Sequence, residues 1–475
     1  MRFFCFIFFI SVVFNTAAAE SPDTDYSEAI RILDVWLEAQ LDYDRLPGMA
    51  VAVVKDQELI WSKGYGYTEL ENGSPVTPNT MFSICSISKL FTSIAVMQLR
   101  DAGKLDLDTA VADLVPWFNL KYEHPEGGPV TIRSLLSHVS GLPREADHPY
   151  WSGPEFPFPS TGELKKSVGG QSTQLPAFSK FQYSNLGLSL LGEVVSRVSG
   201  ISFEEYVTLN ILKPLGMKDT RPDIPKELWG TRLAKGYGSI TRKGTRDKVN
   251  VFQARGMAAA AGFSSTVQDM ARFVSWQFRL LEEKGETILK WTTLREMQRV
   301  QWMNPDWTVS WGFGFSVYKT AGRTFVGHGG TCPGYRSILV MDPEKKWAYI
   351  VMTNANGPYP TKYTTGIREM LAKVSNGQKD KNRSEPALED YAGIYNPQPM
   401  SSETAVLPWQ GKLAVFVLPV DSPARRMFLL ERHDGDVFRK SGSNKKTAPL
   451  VTFQRDGTGR VIRMISPNGI REKIK

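Results

Sequence analysis

The sequence predicts an α+β protein: an antiparallel sheet flanked by helices, followed by a small all-β domain. Two observations carry this. Strand-like runs lie at residues 48–54 and 59–62, and again at 311–318, 324–329, 337–341 and 349–353, with helical apolar spacing between the two groups. The economical packing is one sheet built from both groups and covered by the helices. After residue 386 the pattern changes to short strands at 413–418, 426–430, 450–453 and 461–465, with Asp434-Gly435 and Asp456-Gly457 as hairpin signals.

The elements follow in order. Residues 1–19 read as a secretory signal peptide: Arg2, then an apolar run from Phe3 to Phe14, then the small residues Ala17, Ala18 and Ala19. That predicts a periplasmic or secreted protein. No later stretch is apolar for long enough to span a bilayer. Residues 26–40 form an amphipathic helix, with Ile30, Ile32, Leu33, Trp36 and Leu37 largely on one side. Residues 48–54 and 59–62 make a hairpin through Lys55-Asp56-Gln57-Glu58. Helices are predicted from Ser86 to Leu99, at 186–198 ended by Gly200, at 202–212, at 267–281 and at 367–374, with short helical pieces at 105–116 and 131–138. Residues 144–181 are polar, aromatic and rich in Pro and Gly, which suggests a lid or substrate wall. Residues 20–374 therefore make a first domain, 375–386 a polar linker, and 387–475 a separable β domain.

Composition narrows the class. The chain has 475 residues, 41% hydrophobic and 22% charged, with a formal charge of +8. This describes a globular protein with a weak preference for anionic surroundings such as a cell wall. No basic stripe interleaved with aromatics and no zinc-finger spacing points to nucleic acid. No His, Cys and carboxylate cluster implies a metal, and no cofactor is expected.

The chemistry centres on Ser86 and Lys89. Ser-x-x-Lys occurs three times, at Ser86/Lys89, Ser316/Lys319 and Ser443/Lys446, but only the first opens an apolar helix. Three residues apart on a helix, the two side chains share a face. A desolvated lysine near a helix start is pushed toward its neutral form and can take the serine proton. Tyr183-Ser184-Asn185 precedes another apolar helix. A phenol whose pKa nearby cations lower can relay a proton, and an amide can orient lysine and substrate. His328-Gly329-Gly330-Thr331 lies at a strand end, where two glycines let a substrate backbone approach. Each pattern alone has a plain reading: Tyr-x-Asn is common, and a strand histidine is more often a satisfied core residue.

Together, in this order, the three motifs resemble those of the serine β-lactamase and penicillin-binding-protein family, nearest its class C-like branch of esterase and D-peptidase relatives. Residues 135–142 (LLSHVSGL) and 262–266 (GFSST) support the resemblance, which covers roughly residues 26–374. Leu388-Glu389-Asp390-Tyr391-Ala392-Gly393-Ile394-Tyr395 resembles the opening of the lipocalin-like barrel that follows many such domains. The resemblance implies a β-lactamase/transpeptidase-like fold with Ser86 as the acylated nucleophile, and with Lys89 and Tyr183 sharing the proton work. It further implies that Asn185, His328, Gly329, Gly330 and Thr331 contact substrate, and that the N–H groups of Ser86 and Thr331 form an oxyanion hole.

One departure matters. The family's β-lactamases carry lysine where His328 stands, and a neutral histidine cannot supply that charge. The expected activity is thus a secreted serine hydrolase acting on an ester or a D-amino-acid-like amide, through an acyl-enzyme. A true β-lactamase and a non-turnover penicillin-binding sensor or scaffold are the alternatives. The expected partner is a small molecule or peptide, cell-wall derived, and the C-terminal domain offers a surface for oligomerisation. The converging oxyanion N–H groups bring Cys85 and Cys332 close, and a similar cystine occurs in class A carbapenemases, so the resemblance implies a Cys85–Cys332 disulfide in the oxidising compartment.

Overall fold

The computed structural model describes residues 24–147, 149–374, 388–442 and 448–475; the leader assigned to 1–19 and the linker assigned to 375–386 lie outside them. At the centre is an eight-stranded antiparallel sheet. Its spatial order is Glu58–Gly66, Gly48–Lys55, Trp347–Thr353, Tyr335–Asp342, Arg323–Cys332, Ser316–Thr320, Ser310–Trp311 and Trp302–Met303. The N-terminal hairpin joins the C-terminal strands as expected, with Met49 opposite Thr353 and Lys55 opposite Trp347.

Side chains alternate between two faces along each strand. On Gly48–Lys55, Ala50, Ala52 and Val54 point into one core and Met49, Val51 and Val53 into the other, which is why this strand reads as an unbroken apolar run. The first face is covered by Val267–Glu283 and, beyond it, by Ser88–Asp101 and Asn185–Ser199. Phe91 bridges these layers, stacking on Phe263 at 4.9 Å and lying 4.7 Å from Phe273 between ring centroids. The second face is covered by Ser27–Tyr43 and Thr361–Leu371. Trp36 fits against Gly366, where a Cβ would lie 2.2 Å from the indole.

Two expectations change. The strand predicted at 311–318 is two strands, Ser310–Trp311 and Ser316–Thr320, separated by a turn at Gly314 with φ of +80°. A Cβ at Gly314 would sit 2.3 Å from Ser93 Oγ, so the chain bends where it meets the Ser88–Asp101 helix. Residues 144–181 are not a free lid. They contain the helix Thr161–Val168, capped by Ser160 and Glu163, and Phe156 and Phe158 are buried. Phe158 stacks on Phe252 at 5.0 Å and meets Trp151 at 4.9 Å. The aromatics of this segment anchor a fixed wall.

The C-terminal region is a second eight-stranded antiparallel sheet, from Gly393–Tyr395 to Gly469–Glu472, in simple sequence order. It closes on itself: Ile394 N–H donates to Lys475 O and Ile474 N–H donates to Ile394 O, both at 2.8 Å. Tyr391, Leu413, Phe438 and Phe453 fill its interior. Among the described residues no single helix is long and apolar enough to cross a membrane.

The barrel does not stand apart from the first domain. Leu407, Trp409 and Phe416 share one apolar cluster with Ile32, Leu33, Trp36 and Leu37 of the Ser27–Tyr43 helix. Trp36 Nε1 donates to Val420 O at 2.7 Å, and Gln40 Nε2 donates to the same oxygen at 3.1 Å. Ser422 and Arg425 both bind Glu369 of the Thr361–Leu371 helix, at 2.8 and 2.7 Å. Barrel and first domain thus share a core well away from the linker, which argues against independent folding of the two. A chain ending at residue 374 should be insoluble or lack cooperative unfolding, because Leu33, Trp36 and Leu37 would lose their cover. In the full chain Trp36→Ala should cost about 3–5 kcal/mol in urea unfolding. A soluble, cooperatively folding 20–374 chain would contradict this packing.

Candidate active site

The segment entering Ser86 is held on both sides. Phe82–Ser83 pairs with Ser264–Ser265, and Ile84 N–H donates to Phe263 O at 2.9 Å. A single 3₁₀ turn, Cys85–Ile87, then leads into the Ser88–Asp101 helix. Cys85 has φ of +50°, a left-handed conformation that costs a non-glycine residue about 1–3 kcal/mol and needs tertiary support. Its support is the Cys85–Cys332 disulfide, with the Cα atoms 5.6 Å apart. The bond ties the residue before Ser86 to the end of the Arg323–Cys332 strand. Gly330 is needed at the same junction, since a Cβ there would lie 2.3 Å from Ile84 O.

Lys89 is fully buried. Its Nζ donates to Asn185 Oδ1 and to Ala260 O, both at 2.7 Å, and lies 3.2 Å from Ser86 Oγ. The carbonyl of Ala260 can only accept. The Asn185 amide is oriented too, because its Nδ2 donates to Glu145 Oε1 at 2.7 Å, and a flipped amide would set two oxygens against each other. A neutral amine has two hydrogens and one lone pair. Both hydrogens are taken, so the lone pair is left for the Ser86 hydroxyl. Burial is the main cause that drives Lys89 well below its ordinary pKa. Arg144 pushes the same way, and Glu145 opposes.

Tyr183 reaches the same hydroxyl. Burial raises its phenol well above the usual tyrosine range, only partly offset by its side-chain interaction with Ser86 and by Arg144. The expectation that nearby cations lower this pKa is thus not met; desolvation outweighs them, and the phenol keeps its proton. The Lys89 Nζ lies 4.8 Å and the Arg144 guanidinium 4.9 Å from the Tyr183 ring centre. Asn185 opens the Asn185–Ser199 helix, capped by Ser184, whose Oγ accepts from Gly187 N–H at 2.9 Å.

The third motif lies at the end of the Arg323–Cys332 strand. The sequence reading puts His328 among the substrate contacts. In the structure it is 5% exposed, its Nδ1 donates to Gly329 O at 2.5 Å, and its Nε2 is buried without a hydrogen-bond partner among the described residues. Burial, aided by Lys89 and opposed by the Gly329 bond, pushes it down to about 3, so the ring is neutral. Asn185 likewise has both ends of its amide committed. Gly329 and Thr331 are exposed on the strand. Among the described residues no group of three or more His, Cys, Asp or Glu side chains is placed to hold a metal ion.

Several participants were not legible as such. Glu145 orients Asn185, pairs with Arg144 and accepts from Tyr150 OH. Ala260 acts only through its backbone oxygen. His138 and Trp311 pack around Tyr183. The available signal was position: Arg144 and Glu145 follow the 135–142 phrase after a single proline, and Trp311 opens a predicted strand.

A family model described as Beta-lactamase matches residues 33–372. The chain belongs to the Beta-lactamase family. It is 24% identical to Protein flp of Staphylococcus aureus (strain COL) over 344 residues, 71% of this chain but 66% of that protein, so it spans just under two thirds of that relative's length. Its fold is similar to that of the octameric penicillin-binding protein homologue from Pyrococcus abyssi, with a TM-score of 0.64, 24% identity, and coverage of 94% of this chain and all of that one. It is also similar to the β-lactamase/D-alanine carboxypeptidase from Yersinia pestis, with a TM-score of 0.62 and 23% identity, covering 74% of this chain and 99% of that one. The first of these similarities extends over the barrel as well as the family domain.

The electrostatics yield a signed prediction. The Glu145 carboxylate raises the pKa of Lys89, so Glu145→Gln should lower it further. The acid limb of Ser86 labelling by a fluorophosphonate should move to lower pH, measured as labelling rate against pH. An upward shift would show that Glu145 does not act on Lys89 through charge.

Proposed function

We propose that this protein is an exported serine hydrolase that cleaves an ester or a D-amino-acid-like amide through a Ser86 acyl-enzyme. The observation that carries the reading is the fully buried Lys89 Nζ, 3.2 Å from Ser86 Oγ and held by two acceptor oxygens, an enclosure that favours its neutral form. Lys89 takes the Ser86 proton as Oγ attacks the substrate carbonyl carbon. The N–H groups of Ser86 and Thr331 receive the oxyanion, an effect worth about 3 kcal/mol per donor in comparable sites. Tyr183, still protonated, donates to the leaving group as it departs, and the proton held by Lys89 restores the phenol. Water, deprotonated by the same pair, then attacks the acyl carbonyl; the acyl–oxygen bond breaks, and the proton taken from water passes to Ser86 Oγ as the acid leaves. Two groups whose surroundings push their pKa values apart divide the work of base and acid.

The neutral, buried His328 supports an uncharged substrate subsite at this strand end, and hence esters and peptides ahead of β-lactams. The similarity to a β-lactamase/D-alanine carboxypeptidase agrees with an acyl group of D-amino-acid type. Export rests on residues 1–19 and is checked by N-terminal sequencing of the mature protein. Because the Pyrococcus abyssi homologue is octameric, the proposal extends to self-association through the barrel, read by light scattering.

The parent should hydrolyse p-nitrophenyl acetate with a higher kcat/KM than a chromogenic cephalosporin. Ser86→Ala should remove both activities, and Lys89→Arg, which keeps charge but cannot deprotonate, should lower them about 100-fold or more. An ester hydrolysis rate unchanged by Ser86→Ala would overturn the reading.

A further inference from the structure

His138 belongs to the 135–142 phrase and touches none of the reacting atoms, yet it is wrapped around Tyr183. Its carbonyl accepts the Gln182 N–H at 2.8 Å, and its Nδ1 accepts the Ser184 N–H at 3.1 Å. The residues on either side of Tyr183 are thus both bonded to one histidine. The imidazole lies flat on the Tyr183 ring, with centroids 4.4 Å apart and planes 28° apart. Trp311 closes the box edge-on, 5.3 Å from His138 and 6.0 Å from Tyr183.

Three further facts separate this from an ordinary core histidine. His138 holds a left-handed backbone, φ +57°, which is uncommon for a residue with a side chain and directs the ring and carbonyl to the same neighbour. Its tautomer is forced: Nδ1 accepts from a backbone N–H, so the proton sits on Nε2, which is buried with no hydrogen-bond partner among the described residues. A polar atom left unsatisfied in the interior is a cost that apolar rings of similar shape avoid. And the ring cannot charge without breaking the Ser184 bond and placing a cation in the interior near Arg144. Burial is the main cause that keeps it neutral.

We infer that His138 is a positioning residue that holds the Tyr183 hydroxyl in line between Ser86 and the departing group. The inference rests on the reading above, in which Tyr183 is the proton donor to that group. Its fingerprint follows from leaving-group chemistry. An alkoxide needs a proton to leave, whereas p-nitrophenolate leaves without one. A misplaced Tyr183 therefore slows hydrolysis of an alkyl ester far more than that of the aryl ester of the same acid. A merely structural defect slows both alike.

The test compares ethyl butyrate with p-nitrophenyl butyrate on the full chain. His138→Asn tolerates the left-handed backbone and keeps an acceptor for Ser184 but loses the stacked ring. His138→Phe keeps the ring and loses the acceptor. In each variant that retains the parent melting temperature within a few degrees, the alkyl-to-aryl ratio of kcat should fall about 10-fold or more, as expected for a displaced catalytic group, with KM little changed. Tyr183→Phe should show the same fall, and adding either His138 change to it should lower the ratio no further. Unchanged ratios in folded His138→Asn and His138→Phe, or losses that add fully to that of Tyr183→Phe, overturn the inference while Ser86-dependent aryl ester hydrolysis leaves the proposed function standing. Aryl ester hydrolysis that survives Ser86→Ala overturns both.

Discussion

Everything at this site depends on keeping an ammonium-forming side chain out of water. Lys89 is enclosed completely, on the helix that follows Ser86, and its two short contacts are to oxygens that can only accept. An isolated buried cation is expensive, so the group lowers its pKa instead. Glu145 moderates this without undoing it: its carboxylate meets Asn185 rather than Lys89, and so aligns the amide while remaining one residue removed from the amine. A carboxylate in direct contact with Lys89 would restore the charge and abolish the base. Tyr183 obeys the same physics with the opposite result, since burial favours the neutral form of each group and a neutral phenol still has its proton.

The second constraint is mechanical. The 3₁₀ turn that presents Ser86 and the strand end that presents Thr331 come from distant parts of the chain, and three features press them together. They are the Cys85–Cys332 disulfide, the absence of a side chain at Gly330, and the Ser337 hydroxyl donating to Ile84 O at 2.9 Å. Strain at Cys85 is tolerable because those contacts over-determine its conformation. The far side of the sheet contributes support of another kind. The Ser27–Tyr43 helix is sandwiched between sheet and barrel, so the barrel completes the core on which the central strands rest.

How much was legible in the sequence follows from the range of each signal. Ser86 and Lys89 are three residues apart, and Tyr183 and Asn185 two, so local spacing reveals them. That the N- and C-terminal strands join in one sheet was legible because buried strands read as apolar runs, and the helical layers because their periodicity is long. Glu145 was not, because it meets Asn185 from a segment 40 residues away that has no periodicity to interpret. The pKa of Tyr183 and the sealing of His328 depend on burial, which no motif records. The barrel was half legible: the hairpins at Asp434-Gly435 and Asp456-Gly457 stand out, while Gly393–Tyr395, Val437–Lys440 and Gly469–Glu472 are too short to announce themselves, and Pro408 masks the strand Thr404–Trp409. Its docking onto the first domain was missed because Trp36 and Leu407 each look like ordinary core residues of their own element.

The claim most exposed to direct measurement is the charge on Lys89. Protein labelled with ¹³C at the lysine ε-carbon, with the Lys89 resonance identified by its absence in Lys89→Arg, can be titrated by NMR without any substrate. With burial lowering the pKa of the amine, this ε-carbon should titrate well below the surface lysines, giving the shift of a free amine where they are still charged. A Lys89 resonance that moves together with theirs, near the ordinary lysine value of about 10.4, would mean that the amine is charged at rest and is not the base.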